Sequence, residues 1–301
     1  EGEHIIMLKK LKNSFLVLVL ALSMIGCVDQ SGKSDNNNLT IAATSVAVTE
    51  ILEALDVPAD QVIGIPTTES YTVPKKYKKA TELGTAMSPD MEVLSTLKPS
   101  LVLSPNSLEG DLASKYEKIG VSSSFLNLKS VAGMFKSIEE LGSLLGKEKK
   151  ANKLVDEFVN YMVEFRAKYQ NTASPRVLIL MGLPGGSYLV ATESSYVGDL
   201  VKLAGGTNVY GNGNGQDFVN VNAEDMLQQN PDIILRTSHA MPEEVMKNFE
   251  TEFAQNDIWS KFSAVQNGKV YNLDNNYFGM SANFNYQKGL ENLEGILYGT
   301  N

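Results

Sequence analysis

Short apolar runs alternate with segments of helical spacing from residue 39 onward. Residues 39–43 form a short apolar run of the β type, and residues 46–55 place their apolar side chains at helical intervals. Thr44 and Ser45 lie between these segments, where small hydroxyl residues favour the start of a helix. The pattern therefore predicts that the fold opens with a strand, a turn and a helix.

A longer pattern occurs twice. Residues 91–97 have helical spacing, a proline interrupts them, and residues 101–103 are apolar enough for a buried strand. Residues 224–235 repeat this order at an offset of 132, and Glu92 and Glu224 each precede the proline by seven residues. Repeated units of this kind predict an α/β fold of two similar lobes whose sheets are covered on both faces.

The segment between the two copies lacks proline. The second half of residues 130–170 carries apolar side chains at helical spacing, so we expect one long helix that joins the lobes and ends near Asn171. A helix at this crossover resists hinge motion, which predicts limited closure. The alternative is a helix packed on one lobe only. The predicted boundaries are an N-terminal lobe at 39–129, a connecting helical segment at 130–171 and a C-terminal lobe at 172–301.

The N-terminal residues have the order of a targeting signal. A basic segment from Met7 leads into an apolar stretch that ends at Cys27, and this stretch is too short for an ordinary transmembrane helix. The small residue followed by a lone cysteine resembles the lipid-attachment site of bacterial lipoproteins. We expect residues 1–27 to be a signal peptide with a lipidated cysteine and polar residues 28–38 to be a flexible tether. An uncleaved anchor with an unmodified cysteine is the alternative.

Composition excludes several kinds of site. The net charge of −9 leaves no broad basic face, so we expect no nucleic-acid partner. One cysteine excludes an internal disulfide, a four-cysteine metal site and haem attachment through paired thiols. Two histidines exclude a site of three imidazoles. Because His4 precedes the expected natural start at Met7, His239 is the one imidazole of the expected mature chain.

The signal, the two lobes, the helical connector and the paired Glu-x6-Pro phrases together resemble the helical-backbone class of substrate-binding proteins of ABC importers. That class carries siderophores, cobalamin or haem. Within it, residues 86–90 (AMSPD) and 236–244 (RTSHAMPEE) are similar to the haem-receptor lipoproteins of the iron-regulated surface determinant (Isd) system of Gram-positive bacteria. Residues 256–259 and 270–280 extend the likeness, which covers essentially the whole expected mature chain.

The resemblance implies that haem b is the transported ligand and that Met87 and His239 bind its iron from opposite lobes. Haem iron has two axial positions, and filling both with protein ligands limits oxygen chemistry. A thioether paired with an imidazole favours reduced iron more than two imidazoles do. Met241 and Met280 are rival thioethers, and a tyrosine or water is a further alternative for the second axial position.

A porphyrin needs a slot with apolar walls and polar ends for its propionates. The start of the first predicted helix offers backbone N–H groups and the positive end of a dipole to a carboxylate. Lys75 and Lys76 are cationic alternatives for the propionates. The candidate haem-pocket residues are Thr44, Ser45, Val46, Ala47, Tyr71, Tyr188, Tyr196, Phe278 and Met280.

Glu92 and Glu224 occupy equivalent places in the two repeats, which predicts one acidic side chain on each lobe. The resemblance implies that they meet arginines of an ABC permease, although a glutamate in the first turn also stabilises a helix by itself. The implied partners are the permease with its ATPase, an upstream haem-donor protein of the cell wall, and the lipid membrane through Cys27. The implied location is the outer face of the cytoplasmic membrane of a Gram-positive bacterium.

Other functions fit the sequence less well. A ferric-siderophore or cobalamin receptor of the same class would need no axial residues, and a manganese or zinc receptor would need more histidines. Residues 211–215 (GNGNG) lack nucleotide-loop spacing and are predicted to form a turn, and residues 185–187 do not form a nucleophile elbow. We therefore expect a binding protein and not an enzyme. A structural lipoprotein without cargo is the remaining alternative.

Overall fold

The computed structural model describes residues 39–68, 71–169 and 171–299. The predicted signal peptide, Cys27 and the tether at 28–38 lie outside the described residues. None of the helices in the described part of the chain combines the length and apolar character that a bilayer crossing requires.

The first half of the described chain alternates strands and helices and ends in two long helices. The elements in chain order are β1 (Ile41–Ala43), α1 (Val46–Ala54), β2 (Val62–Ile65), β3 (Thr81–Glu82), β4 (Gly84–Thr85), β5 (Ser88–Pro89), α2 (Met91–Leu97), β6 (Leu101–Pro105), α3 (Glu109–Lys118), β7 (Ser123–Leu126), α4 (Val131–Leu144) and α5 (Glu148–Ala167). Strands β3-β2-β1-β6-β7 form one parallel sheet in that order, and β4 and β5 form a separate hairpin.

The second half forms a mixed sheet. Its elements are β8 (Arg176–Gly182), β9 (Tyr188–Ala191), α6 (Tyr196–Leu203), β10 (Thr207–Asn208), β11 (Phe218–Val219), α7 (Ala223–Gln228), β12 (Ile233–Ser238), α8 (Pro242–Gln255), α9 (Ser263–Gln266), β13 (Val270–Asn272) and α10 (Tyr286–Tyr298). The strand order is β11-β9-β8-β12-β13, with β10 beside the start of β8. Strands β9 and β11 run antiparallel to their neighbours, so the lobes share the α/β class but differ in this part of the sheet.

The repeated phrases fold alike. Asp90 caps α2 by accepting the N–H groups of Glu92 and Val93, and Asn222 caps α7 by accepting that of Asp225. Each helix ends before a proline, and the next strand, β6 or β12, is an interior strand of its sheet, next to the edge strand. The predicted repeat of helix, proline break and strand is confirmed.

The predicted long helix is confirmed as α5, which has 20 residues and is therefore about 30 Å long. Its Phe158 ring stacks on Phe135 of α4 with the ring centres 4.4 Å apart, and both rings meet Tyr286 of α10 edge to face. Near its end, Tyr169 stacks on Tyr298 of α10 at 4.2 Å. The helix thus links the crossover segment to the final helix.

The sheets are covered on both faces. One buried cluster joins side chains of the first sheet, such as Ile41, to side chains of the second, such as Val177, through the aromatic residues of α4 and α5. Separate clusters cover the outer faces, around Leu94 in the first half and Trp259 in the second. Full burial of such a side chain contributes about 1.5–3 kcal/mol.

Three polar contacts also connect the halves of the chain. The Ala282 amide donates to the Leu128 carbonyl oxygen at 2.8 Å, and the Val131 amide donates to the Asp199 carboxylate at 2.8 Å. A Lys129–Asp217 ion pair lies beside them, with nitrogen and oxygen 2.9 Å apart. The chain is therefore held together where β7 crosses into α4.

Candidate functional site

The carboxyl ends of β8 and β12 lie side by side and carry His239. The two strands are paired in register as far as Gly182 and Ser238, and the next amide, that of His239, donates to the Gly182 carbonyl oxygen at 3.0 Å. Ligands of open α/β sheets bind at this edge. The sequence therefore places the imidazole where a ligand of such a fold is expected.

The imidazole itself is uncommitted. It is partly exposed, and within the described residues it makes no hydrogen bond or ion pair. The backbone before it is held firmly, because the Ser238 hydroxyl donates to Asn275 at 2.7 Å and the Asn275 side-chain amide donates back to the Ser238 carbonyl oxygen at 3.2 Å. Asn275 is a positioning residue that sequence reasoning missed, since nothing in the local pattern links it to residue 238.

Met87 lies at the tip of the β4–β5 hairpin. Thr85 pairs with Ser88, so Ala86 and Met87 form the two-residue turn, and the Met87 side chain is 61% exposed. The hairpin is attached to the first sheet by hydrogen bonds from the Thr67 amide to the Gly84 carbonyl oxygen and from the Asp90 amide to that of Leu83. The thioether is therefore displayed to solvent from a short, anchored projection.

The rival thioethers have different surroundings. Met241 lies on the loop of His239, is 56% exposed and has a left-handed backbone conformation (φ 50°) directly before Pro242 of α8. Met280 is half-buried and follows the buried Phe278. Exposure alone thus leaves Met241 available as a ligand, and Met280 less so.

Tyr71 reaches the segment around residue 279. Its hydroxyl lies 3.1 Å from the place that a first side-chain carbon on Gly279 would occupy, so the glycine permits this close approach. Gly279 stands between Phe278 and Met280 in the chain. The structure therefore brings Tyr71, from the first half of the chain, to the backbone between two candidate pocket residues of the second half. Burial raises the pKa of the Tyr71 hydroxyl.

The start of α1 supplies donors through its backbone. The Ser45 hydroxyl accepts the Val48 amide, whereas the Thr44 hydroxyl is buried against Ser104 at 2.8 Å. Only Ser45 is a cap, so the expectation that both residues cap this helix is wrong for Thr44. The amides of Val46 and Ala47 lack partners within the helix, as first-turn amides must. They are the groups that a carboxylate would meet there.

The remaining candidate rings are packed in the interior. Tyr196 is 2% exposed and Phe278 is fully buried, while Tyr188 contacts Phe249 and Trp259 in the outer cluster of the second half. Burial raises the pKa of the Tyr196 hydroxyl. Packing accounts for these rings as core residues, and their role as walls of a ligand slot stays a prediction.

Glu92 and Glu224 are both the second residue of their helices, α2 and α7, and both are exposed. Their equivalence follows from the matching caps two residues earlier. The structure thus presents one carboxylate at the same place in each repeat, as the sequence predicts.

The described chain also has a cavity beside residues 211–215 and lacks a cluster of side chains that could hold a bare metal ion. A cavity of about 310 Å³ lies along the predicted turn at residues 211–215, which is confirmed as a turn; it is lined by Tyr210, Asn212, Gly213, Asn214, Gln216, Val219 and Val221. Within residues 39–68, 71–169 and 171–299, no cluster of three or more His, Cys, Asp or Glu side chains is placed to hold a bare metal ion.

Sequence comparison identifies close relatives of nearly full length. The chain is 40% identical over 288 residues to the high-affinity heme uptake system protein IsdE of Staphylococcus aureus, and the match covers 94% of this chain and 96% of that protein.

Solved structures match over a similar range. The chain is 44% identical to an ABC transporter substrate-binding protein of Listeria monocytogenes, with a TM-score of 0.80, and 41% identical to S. aureus IsdE complexed with heme, with a TM-score of 0.81. Each match covers 87% of this chain and 99% of the other. A family model described as periplasmic binding protein matches residues 41–277. Together with the two-lobed α/β fold, these matches show that the chain belongs to the periplasmic binding protein family, whose members are binding proteins and not enzymes.

Proposed function

We propose that this protein is a lipid-anchored receptor that captures haem b between its lobes and delivers it to an ABC permease for iron acquisition. The observation that carries the proposal is the uncommitted His239 imidazole at the carboxyl edge of the second sheet. It is supported by the 40% identity to a protein named for haem uptake and by the likeness to a structure of such a protein complexed with haem.

In this proposal His239 and Met87 are the axial ligands of the iron. The imidazole offers a nitrogen from the second half, and the hairpin offers a neutral sulfur from the first half. Both ligands lack competing partners: the imidazole makes no hydrogen bond within the described chain, and the thioether is largely exposed. Two protein ligands leave no open iron position for oxygen.

The rest of the slot follows from the contacts around it. Tyr71 approaches Gly279, and the half-exposed Tyr71 ring with the half-buried Met280 side chain supplies an apolar flank. The open amides of Val46 and Ala47, at the positive end of the α1 dipole, suit a propionate carboxylate. This arrangement has the apolar walls and polar end that a porphyrin requires.

Absorption spectroscopy of titrations with haem tests the ligand and both axial residues. We expect a Soret band on binding, a shifted band in His239→Ala, and a changed spectrum of the reduced iron in Met87→Leu. Met241→Leu and Met280→Leu are the matched controls, and they should leave both spectra unchanged. A change confined to either control would assign the sulfur to that residue. A spectrum that stays that of free haem throughout the titration would favour the siderophore or cobalamin alternative.

Delivery is assigned to Glu92 and Glu224, one on each repeat. Two exposed carboxylates at equivalent places orient a partner that carries two cations and raise the encounter rate. The double variant Glu92→Ala/Glu224→Ala should retain its haem spectrum and lose growth on haem as the iron source. The control variant Glu109→Ala/Glu243→Ala changes first-turn glutamates of α3 and α8, and it should retain both the haem spectrum and growth on haem. Unchanged growth of the first variant would remove the docking role.

Cys27 provides the anchor in this proposal, which puts the protein on the outer face of the cytoplasmic membrane of a Gram-positive bacterium. There the protein would receive haem from a cell-wall donor and pass it to the permease and its ATPase. Mass spectrometry of the membrane fraction should find a lipid on the cysteine, and Cys27→Ser should release the protein into the medium.

A further inference from the structure

Lysines gather at the end of the first lobe opposite to the proposed haem edge. They come from two segments that are distant in sequence: the short 3-10 turn after β2 and the beginning of α5. We call them the lysine cluster; its members are Lys75, Lys76, Lys78, Lys79, Lys147, Lys149 and Lys150. All seven belong to runs that the sequence shows as KKYKK and KEKK.

Asp56 joins the two segments. Its carboxylate pairs with Lys76, with nitrogen and oxygen 3.1 Å apart, and Tyr77 holds the turn by donating its hydroxyl to the Val57 carbonyl oxygen at 2.8 Å. The same buried cluster includes Leu55, beside Asp56, and Leu145, which precedes the start of α5. Lys76, followed by Lys147 and Lys150, lowers the pKa of the Asp56 carboxyl.

The charge of this end is positive although the whole chain is acidic. Seven lysines face four carboxylates in the same segments, namely Glu53, Asp56, Asp60 and Glu148. Five of the lysines are exposed, and Lys76 and Lys147 are partly exposed. The expectation of no broad basic face holds for the chain as a whole, but this local surface departs from it.

The three lysines at the start of α5 do not stabilise that helix. α5 begins at Glu148, the preceding Lys147 gives it no side-chain cap, and cations at the start of a helix oppose the helix dipole. Lys147, Lys149 and Lys150 therefore disfavour their own helix. An anion outside the chain is the natural partner for such a group.

The position of the cluster identifies the anion. β1 begins beside the end of the lobe that carries the lysine cluster. The Ile41 amide donates to the carbonyl oxygen of Gln61, which follows Asp56 by five residues. Eleven tether residues separate Cys27 from Leu39, and they reach at most about 40 Å. If Cys27 is lipidated as proposed above, the membrane surface is the anionic surface within this reach.

Helix α1 defines the orientation. It starts at Ser45, at the carboxyl edge of the first sheet, and leads to Asp56 at the opposite edge. Asp90, the cap of α2, lies at the carboxyl edge, because its amide bonds to Leu83, whose own amide bonds to Ile65 at the end of β2. The lysine cluster and the proposed haem and docking groups thus lie at opposite edges of this lobe.

We propose that the lysine cluster rests on anionic lipid headgroups and holds the anchored protein with its ligand edge directed away from the membrane, ready for loading. Docking on a permease through Glu92 and Glu224 then requires the protein to leave this resting orientation. Each lysine near an anionic bilayer adds to the attraction, and salt screens it.

Vesicle sedimentation tests the contact. The chain from Val28 onward, which carries no lipid, is mixed with vesicles of phosphatidylglycerol and phosphatidylcholine in equal parts, or of phosphatidylcholine alone. We expect binding to the anionic vesicles only, and less of it at high salt. Changing Lys75, Lys78, Lys79, Lys147, Lys149 and Lys150 to Gln should lower the partition coefficient at least tenfold. Lys136→Gln/Lys247→Gln/Lys288→Gln, in the first two turns of α4, α8 and α10, is the control and should bind as the unchanged protein does.

Equal binding by the six-lysine variant and the unchanged protein would overturn the proposal. So would retention of the unchanged protein by a soluble glycerol-phosphate polymer together with no binding to anionic vesicles, which would assign the cluster to a cell-wall polyanion. Circular dichroism confirms that each variant is folded. The assay needs no haem and no lipid on Cys27, so a failed haem titration or an unmodified cysteine would be distinguishable from a failed membrane contact.

The full-length lipidated protein tests the orientation. After reconstitution in anionic vesicles, acetylation of lysines followed by mass spectrometry should show protection of Lys78 and Lys149 and normal reaction of Lys247 and Lys288. Protection of the second pair instead would contradict the proposed orientation.

Discussion

The backbone amide of His239 bonds to the carbonyl oxygen of Gly182, so the histidine continues the pairing of two central strands by one residue. Its side chain therefore starts from a backbone that is as fixed as the sheet itself. A ligand atom on such a rigid element needs little reorganisation when it binds.

Asn275→Ala tests how far this rigidity serves binding. The change removes both hydrogen bonds to Ser238, each of which contributes about 1 kcal/mol. We expect haem affinity to fall by about three- to tenfold while the Soret position stays unchanged, because the variant retains the proposed ligand His239. Asn256→Ala, which removes the side-chain hydrogen bonds to Glu252 and Ile258 at the end of α8, should leave the affinity unchanged. A shifted Soret band in Asn275→Ala would mean that Asn275 influences the iron directly.

Gly84→Ala tests the hairpin that carries Met87. Gly84 has a φ of 85°, and an added side-chain carbon would lie 3.0 Å from the Ser88 carbonyl oxygen. The strain should lower the free energy of unfolding by about 1–3 kcal/mol and weaken haem binding by displacing the turn. Gly120→Ala is the matched control, because Gly120 also has positive φ (71°) but an open surrounding. If both variants bind haem equally, the hairpin geometry does not govern binding.

Gly279→Ala tests the approach of Tyr71 to the second half of the chain. The new methyl group would lie 3.1 Å from the Tyr71 hydroxyl, which is half-exposed and can move away at small cost. We expect haem affinity to fall severalfold with less than about 1 kcal/mol lost in stability. Adding Tyr71→Phe should restore part of the affinity, since it removes the atom in contact.

Gly110→Ala provides the control for this series, because no atom lies near that position on α3. It should leave haem affinity unchanged. Additive effects of Gly279→Ala and Tyr71→Phe, measured by titration in a double-mutant cycle, would show that the two residues act independently.

Asp199 predicts a pH dependence of stability. Burial raises the pKa of its carboxyl from 3.8 to about 6. The hydrogen bond from the Val131 amide acts in the opposite direction but is the smaller effect. The folded state therefore holds the proton more tightly than the unfolded state, so the free energy of unfolding falls as the pH rises from about 4 to 6. The loss contributed by this group is roughly 2–3 kcal/mol.

Asp199→Asn keeps an acceptor for Val131 and removes the charge, so it should flatten this part of the profile and make the variant more stable than the unchanged protein at neutral pH but not at pH 4. Urea unfolding at several pH values measures the effect. Asp225→Asn, at an exposed first-turn position, should keep the original profile. An unaltered slope in Asp199→Asn would show that another group titrates in this range.

Local patterns in the sequence predicted the elements that local physics controls. The repeated phrase folded as α2–β6 and α7–β12 because a cap, a helical spacing and a proline act within a few residues. The long helix α5 was predictable for the same reason. The antiparallel strands β9 and β11 were not, since strand direction depends on pairing between distant segments.

The site was predictable only in part for a related reason. His239 and Met87 could be singled out because their residue types are rare or chemically apt, and the structure shows both uncommitted. The contacts between Asn275 and Ser238 and between Tyr71 and Gly279 join segments from 37 to about 200 residues apart. The lysine cluster likewise forms only when α5 is brought beside the turn at Asp56.

The aromatic contacts of Phe158 with Phe135 and Tyr286 belong to a buried cluster that reaches both sheets. Neither half of the polypeptide can therefore cover this buried cluster by itself. The two halves should unfold in a single cooperative transition. Either half expressed alone would expose a hydrophobic surface and should aggregate. Surface residues of such a protein can change freely during evolution. Exchange of one half for that of a distant homologue requires compensating changes in the shared buried cluster.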